Sequence, residues 1–264
     1  MSPARWITLP PRAARLPFRL FCFPHAGGGA SFFRQWWRSL PGIVEVCPVQ
    51  LPGREERLAE APFTRLEPLL DALAEAIVPF LDVPYALFGH SNGALIGFEL
   101  TRLLRRRGVR PPSLLFVSAC AAPDWPDPDP PLHELSNPAL ISNLRGFRGT
   151  PPEFFEDPEV MELLLPAVRA DLEVNETYEY SHELPLECPI TVLGGRDDTK
   201  TDRRALDAWC THTSRECNVH VFAGGHFYLK TDQTAALVVV STELSRVLPT
   251  SLPATPDSGI RSPP

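Results

Sequence analysis

Gly89-His90-Ser91-Asn92-Gly93 fits the pattern G-x-S-x-G, which sets a serine hydroxyl between two residues able to make a very tight turn. The chemistry this could serve is covalent: the hydroxyl attacks an acyl carbon and carries the acyl group while the leaving group departs. A serine hydroxyl is a poor nucleophile until a base takes its proton, so a histidine and an acid must accompany it. Of the seven histidines, His226 is best placed, on the glycine loop Gly224-Gly225-His226-Phe227 between a strand-like run and the last helical pattern. His90 flanks the serine and would point away from it. His133 and His182 lie in or near an insertion, His212 sits in a helical stretch and His220 inside a strand. For the acid, Gly194-Gly195-Arg196-Asp197-Asp198 follows another strand-like run; Asp197 is preferred, with Asp198 its near competitor.

Attack on an acyl carbon builds negative charge on oxygen, and aligned N–H donors must meet it. One is the backbone of Asn92, the residue after the nucleophile. The second is the Ala26 N–H in Pro24-His25-Ala26-Gly27-Gly28-Gly29, a loop of the HGGG type that follows the first strand-like run. A phosphate-cradling loop is the rival reading, but no G-x-x-x-x-G-K-[ST] occurs and no lysine is near. Substrate-binding candidates are His25 and Gly27 on this loop, Phe227 beside the base, and Phe147 and Phe154 between two helical stretches of the insertion.

The elements that must position these residues alternate along the chain. Short apolar runs at 19–24, 44–50, 85–88, 114–119, 189–193 and 218–222 read as strands, several apolar enough for a sheet covered on both faces. Helical spacing marks 66–81, 94–107, 202–212 and 231–248. The alternation predicts an α/β fold, a mostly parallel central sheet flanked by helices. The serine then falls on the turn from the third strand into the following helix, where a nucleophile elbow belongs. Residues 124–180 break the rhythm: no convincing strand, prolines, and short helical stretches at 137–145, 158–165 and 168–178. The expected organisation is a core of 1–123 and 181–248, a helical lid of 124–180, and a Pro- and Ser-rich disordered tail of 249–264.

At this point the chain resembles a family. Phe21–Trp36 (FCFPHAGGGASFFRQW), Val49–Arg57 (VQLPGREER), Phe88–Leu100 (FGHSNGALIGFEL), Leu115–Pro123 (LFVSACAAP), Gly194–Asp198 (GGRDD) and Phe222–Leu229 (FAGGHFYL) together look like a type II thioesterase, the free-standing editing hydrolase of polyketide and nonribosomal peptide assembly lines. The resemblance implies the α/β-hydrolase fold with a mobile helical lid. It implies a Ser91, His226, Asp197 triad that clears stalled or wrongly loaded acyl groups from the phosphopantetheine thiol of carrier proteins, with no metal and no cofactor. Asn92 stands where family members usually carry Met, so substrate range does not carry over. Two other enzyme readings are a small-molecule carboxylesterase and an acyl-CoA thioesterase. A catalytically silent carrier-binding homologue is the reading from another class.

Composition narrows the rest. The chain has 264 residues, 44% hydrophobic and 22% charged, as globular proteins do. No apolar run reaches the length of a membrane span, and prolines interrupt the Arg-bearing start, so the protein is read as cytoplasmic; a monomer is expected. Six cysteines without C-x-x-C spacing read as buried, reduced thiols rather than metal ligands. A net charge of −7 argues against nucleic acid or an anionic membrane as partner. That total divides into −10 over residues 124–180 and +3 elsewhere. An acidic carrier protein is therefore expected to approach away from the lid, on Arg34, Arg54 and Arg57, which follow the glycine loop and the second strand.

Overall fold

The structure, a computed structural model, describes residues 6–8, 16–126, 129–146 and 157–249. Six of the apolar runs form strands: β1 (Phe18–Phe23), β2 (Val44–Pro48), β3 (Tyr85–His90), β4 (Leu114–Ser118), β5 (Ile190–Gly195) and β6 (Cys217–Phe222). They pair in the order β2-β1-β3-β4-β5-β6, every neighbour parallel. β1 to β5 are buried along their whole length, so successive side chains point into two separate apolar layers. Phe21, Phe23, Leu87, Leu115, Val117 and Val192 meet α1 (Leu66–Ile77) and α2 (Asn92–Arg106) on one face. Leu20, Cys22, Phe88, Phe116 and Leu193 meet Phe33, Trp36 and the last helix on the other.

Register decides where the site forms. Phe23 pairs with Gly89, His90 with Ser118, and Ser118 with Leu193, so the carboxyl ends of β1, β3, β4 and β5 finish at one edge of the sheet. Ligands of open parallel sheets bind beyond that edge, and the residues singled out for chemistry follow these strands. Helices α5 (Arg203–Asp207), α6 (Tyr228–Thr231) and α7 (Gln233–Val247) complete the core.

Between β4 and β5 lie α3 (Asn137–Gly146) and α4 (Pro158–Glu176), with no strand among the described residues of 124–180. The expected break near Pro166 does not occur: 158–165 and 168–178 are joined in one helix with Pro166 inside it. Asp157 caps its start by accepting from the Glu159 and Val160 N–H groups, and burial of Met161, Leu165, Ala170 and Val174 outweighs the one helical bond the proline cannot donate. The expectation that all cysteines are reduced is also corrected, because Cys210 and Cys217 form a disulfide between the 3₁₀ turn Ala208–His212 and the start of β6. The expected tail lies almost wholly outside the described residues.

Candidate active site

Ser91 occupies the turn between β3 and α2 with φ 55° and ψ −122°, a conformation L-residues seldom adopt. The turn is possible because its flanks are glycines. A Cβ on Gly89 would lie 2.1 Å from the Gly93 carbonyl oxygen, and one on Gly93 would lie 2.2 Å from that of Phe23. The turn is fastened on both sides, Ser91 N–H donating to Ser118 O at 2.7 Å and Ala94 N–H to Ser91 O at 2.8 Å. The hydroxyl therefore stands at the carboxyl edge of the sheet, where β3 ends.

His226 comes to it from the loop after β6. Gly224, at φ 104°, makes the bend, and Gly195 has no room for a side chain because the Gly225 carbonyl oxygen would lie 2.2 Å from its Cβ. The His226 Nε2 lies 2.9 Å from Ser91 Oγ, and its Nδ1 lies 2.9 Å from Asp198 Oδ2. The acid is thus Asp198, not the preferred Asp197. Beyond β5 the backbone keeps bonding toward the β6 side for two more residues, Arg196 N–H to Phe222 O and Asp197 N–H to Gly224 O. The inward turn comes one residue late, leaving the Asp197 side chain in solvent and the Asp198 carboxylate buried. Burial opposes the charge of Asp198, but bonds from His226, Thr201 Oγ1 and the Lys200 N–H outweigh it and hold its pKa below the ordinary carboxylate value.

Behind the triad lies a neutral aromatic layer. His90 is fully buried, with Nδ1 2.8 Å from Ser118 Oγ, which in turn lies 2.7 Å from the Tyr228 hydroxyl. Burial, and then the nearby His226 and His25, push its pKa well below the ordinary value. His25 packs edge-on against Phe32 and Phe227, and burial lowers its pKa to about 4. Neither ring carries a charge that would compete with the proton moving through His226.

The glycine loop faces Ser91 from the end of β1. His25 O accepts from Gly28 N–H at 2.9 Å and Gly27 has φ 72°, a turn with the positive φ at its third residue that glycine permits. The backbone of this loop is held by side chains from elsewhere. Gln50 Oε1 accepts from Ala30 N–H at 2.9 Å and Glu55 accepts from the Ser31 hydroxyl at 2.5 Å. Asp171, on α4, accepts from Gly27 N–H at 2.7 Å. Asn92 opens α2, so its N–H is one of the donors a helix start leaves unused, and it follows the nucleophile directly. Its side chain is buried against α4, with Oδ1 3.4 Å from Asn175 Nδ2 and its own Nδ2 without a hydrogen-bond partner among the described residues.

Two of the three docking candidates are overturned. Arg54 is 3% exposed and forms a bidentate pair with Asp171; Arg57 is 2% exposed, bonded to Glu60 and the Gln50 carbonyl and stacked on Trp6. Pairing with neighbouring carboxylates was the competing expectation for these arginines, and it holds for Arg57 with Glu60, whereas Arg54 pairs with Asp171 from the distant α4. Arg34 is exposed, at the end of a 3₁₀ turn. Phe147 and Phe154 lie outside the described residues, whereas Phe227 packs on both His25 and His226. Sequence reasoning assigned nothing to Gln50, Glu55 or Asp171. The run Val49–Arg57 was the available signal for the first two; Asp171 had none.

Thioesterase domain proteins match this chain over residues 18–242. The gramicidin S biosynthesis protein GrsT of Aneurinibacillus migulanus is 43% identical over 236 residues, 89% of this chain and 91% of that one. The linear gramicidin dehydrogenase LgrE of Brevibacillus parabrevis is 40% identical over 251 residues, 94% and 95% of the two chains. Among solved structures, the type II thioesterase BorB from the borrelidin biosynthetic cluster superposes with a TM-score of 0.83 at 37% identity, covering 91% of this chain and 98% of that one.

Proposed function

The chain belongs to the thioesterase domain family and is a thioester hydrolase, and from that premise we propose that it is an editing type II thioesterase that releases acyl groups from the phosphopantetheine thiol of carrier proteins in polyketide or nonribosomal peptide synthesis. The observation that carries the reading is the unbroken chain of 2.9 Å contacts from Asp198 through His226 to Ser91, on an elbow at the carboxyl edge of the sheet. His226 Nε2 takes the Ser91 proton as Oγ attacks the thioester carbon, while Asp198 accepts from Nδ1–H and stabilises the imidazolium. The Ala26 and Asn92 N–H groups receive the oxyanion. Collapse expels the thiol, protonated by His226; water activated by the same ring then releases the acid.

The dehydrogenase name of one relative finds no support in this site. A dinucleotide pyrophosphate rests on the helix that follows the first glycine turn, whereas here the turn after β1 runs into a single 3₁₀ turn, Ala30–Phe33. Arg34 remains the docking candidate on the exposed surface. The test is one acyl group offered on a carrier protein, on coenzyme A and as a simple ester, to wild type and to Ser91→Ala. Preference for the carrier with activity lost in Ser91→Ala is expected. Equal rates on all three would overturn the carrier reading, and a Ser91→Ala protein with full activity would overturn the triad.

A further inference from the structure

The peptide unit between Ala26 and Gly27 is gripped from both ends. Its N–H donates to Asp171 Oδ2 at 2.7 Å, and its carbonyl accepts from His25 Nδ1 at 2.9 Å. This is the central peptide of the turn, the one whose rotation interconverts turn types, and glycine at the following position would otherwise allow both orientations. The donor expected to meet the oxyanion, Ala26 N–H, is the adjoining one in the chain, so its direction depends on that peptide being still. Asp171 is itself fixed. Arg54 holds both of its oxygens, Nη2 to Oδ1 at 2.9 Å and Nη1 to Oδ2, while donating through Nε to Pro52 O at 3.1 Å and through Nη1 to Gly28 O at 3.4 Å. Neither charged group is more than 3% exposed. Val168, one turn before Asp171 on α4, fills the space over Gly27, where a Cβ would lie 2.4 Å from its Cγ2.

We propose that Asp171, locked by Arg54, is a positioning residue through which α4 sets the direction of the Ala26 N–H and so the strength of the oxyanion hole. The proposal rests on the serine-hydrolase reading above. It ties the insertion between β4 and β5 to the chemistry itself: when α4 is seated the loop has one conformation, and when it is not, the central peptide has lost its acceptor.

The test separates positioning from mere support of the fold. Asp171→Asn keeps the shape and removes the charge. Because a buried arginine left with a neutral partner can unfold the chain, Arg54→Met combined with Asp171→Leu replaces the whole pair by apolar side chains, an exchange that buried pairs often tolerate, and removes the Gly27 acceptor. In the folded double variant kcat on a small thioester should fall about 30-fold with KM nearly unchanged, the scale on which small misplacements act. Affinity for an acyl trifluoromethyl ketone, whose adduct with Ser91 carries the oxyanion, should fall by the same factor, while a non-hydrolysable thioether analogue binds as before. A loss of kcat smaller than about fivefold, or equal losses for the two inhibitors, overturns the proposal. Activity persisting in Ser91→Ala would instead overturn the reading beneath it, so the two failures are told apart.

Discussion

The two halves of the site are built by different means. The acid–base half stands on the ends of strands: Ser91 after β3, Asp198 after β5 and His226 after β6, each within three residues of its strand except the base, which a glycine bend brings back. Its geometry follows from parallel register and backbone hydrogen bonds. The other half, the glycine loop that carries the Ala26 donor, has few bonds of its own and is held by Gln50 and Glu55 from beyond β2 and by Asp171 from an insertion more than 140 positions away. The first half is fixed by main chain and the second by side chains. Damage to the first should therefore abolish chemistry, whereas damage to the second should grade it.

The sharpest test of that contrast is the acid. Asp198→Asn should lower kcat by about 10³ to 10⁴, the scale seen when a triad acid no longer holds the base in its tautomer. Asp197→Asn should change kcat by less than about twofold, since its side chain is in solvent and acts on nothing in the triad. Initial rates with one small thioester decide it, and the reverse ranking would return the acid to Asp197. On the other half, Gln50→Leu strips the acceptor from Ala30 N–H and the donor to Arg54 O. We expect kcat about tenfold lower with KM little changed, because the loop loses one of several ties. A loss as large as that of Asp198→Asn would erase the distinction between the halves.

The smallest effect concerns the layer the halves share. His25 has its pKa lowered from 6.5 to about 4, so the folded protein refuses a proton that the unfolded chain accepts in that range. Its contribution to stability is complete above pH 6.5 and is lost as the pH falls toward 4. His25→Gln should flatten the stability profile across that window by about 1 kcal/mol, a modest figure because the residue is only half-buried. Urea midpoints at pH 7 and pH 5 for both proteins measure it. Equal slopes would show that the ring does not sense the fold.

The same division explains what could be read in advance. Apolar runs and their glycine punctuation give all six strands, the elbow and the base, because burial and steric exclusion act on residue types that the sequence displays. The acid was misplaced by one residue: two adjacent aspartates have identical composition, and only the continued pairing of Arg196 and Asp197 with the β6 side chooses between them. Arg54 looked like a surface cation because the carboxylate that neutralises it is 117 positions away, whereas the partner of Arg57, Glu60, lies three residues on in the same run. Pro166 looked like a helix end because local propensity argues so, and packing of the helix overrode it. Cys210 and Cys217 carried no pairing signal until β6 folded back beside the preceding turn.

The β2 margin of the sheet is met by a short segment from the start of the chain. Beside β2, Ile7 bridges Val49 in antiparallel fashion, Thr8 N–H donates to Pro48 O at 3.0 Å and Gln50 N–H to Trp6 O at 2.8 Å. This short strap engages main-chain groups at the end of β2, and Arg57 stacks on its tryptophan at 4.1 Å. A chain trimmed of Trp6, Ile7 and Thr8 would bare a buried, apolar strand edge of the kind that templates pairing between molecules. Three residues remote from the chemistry thus cover the exit of β2.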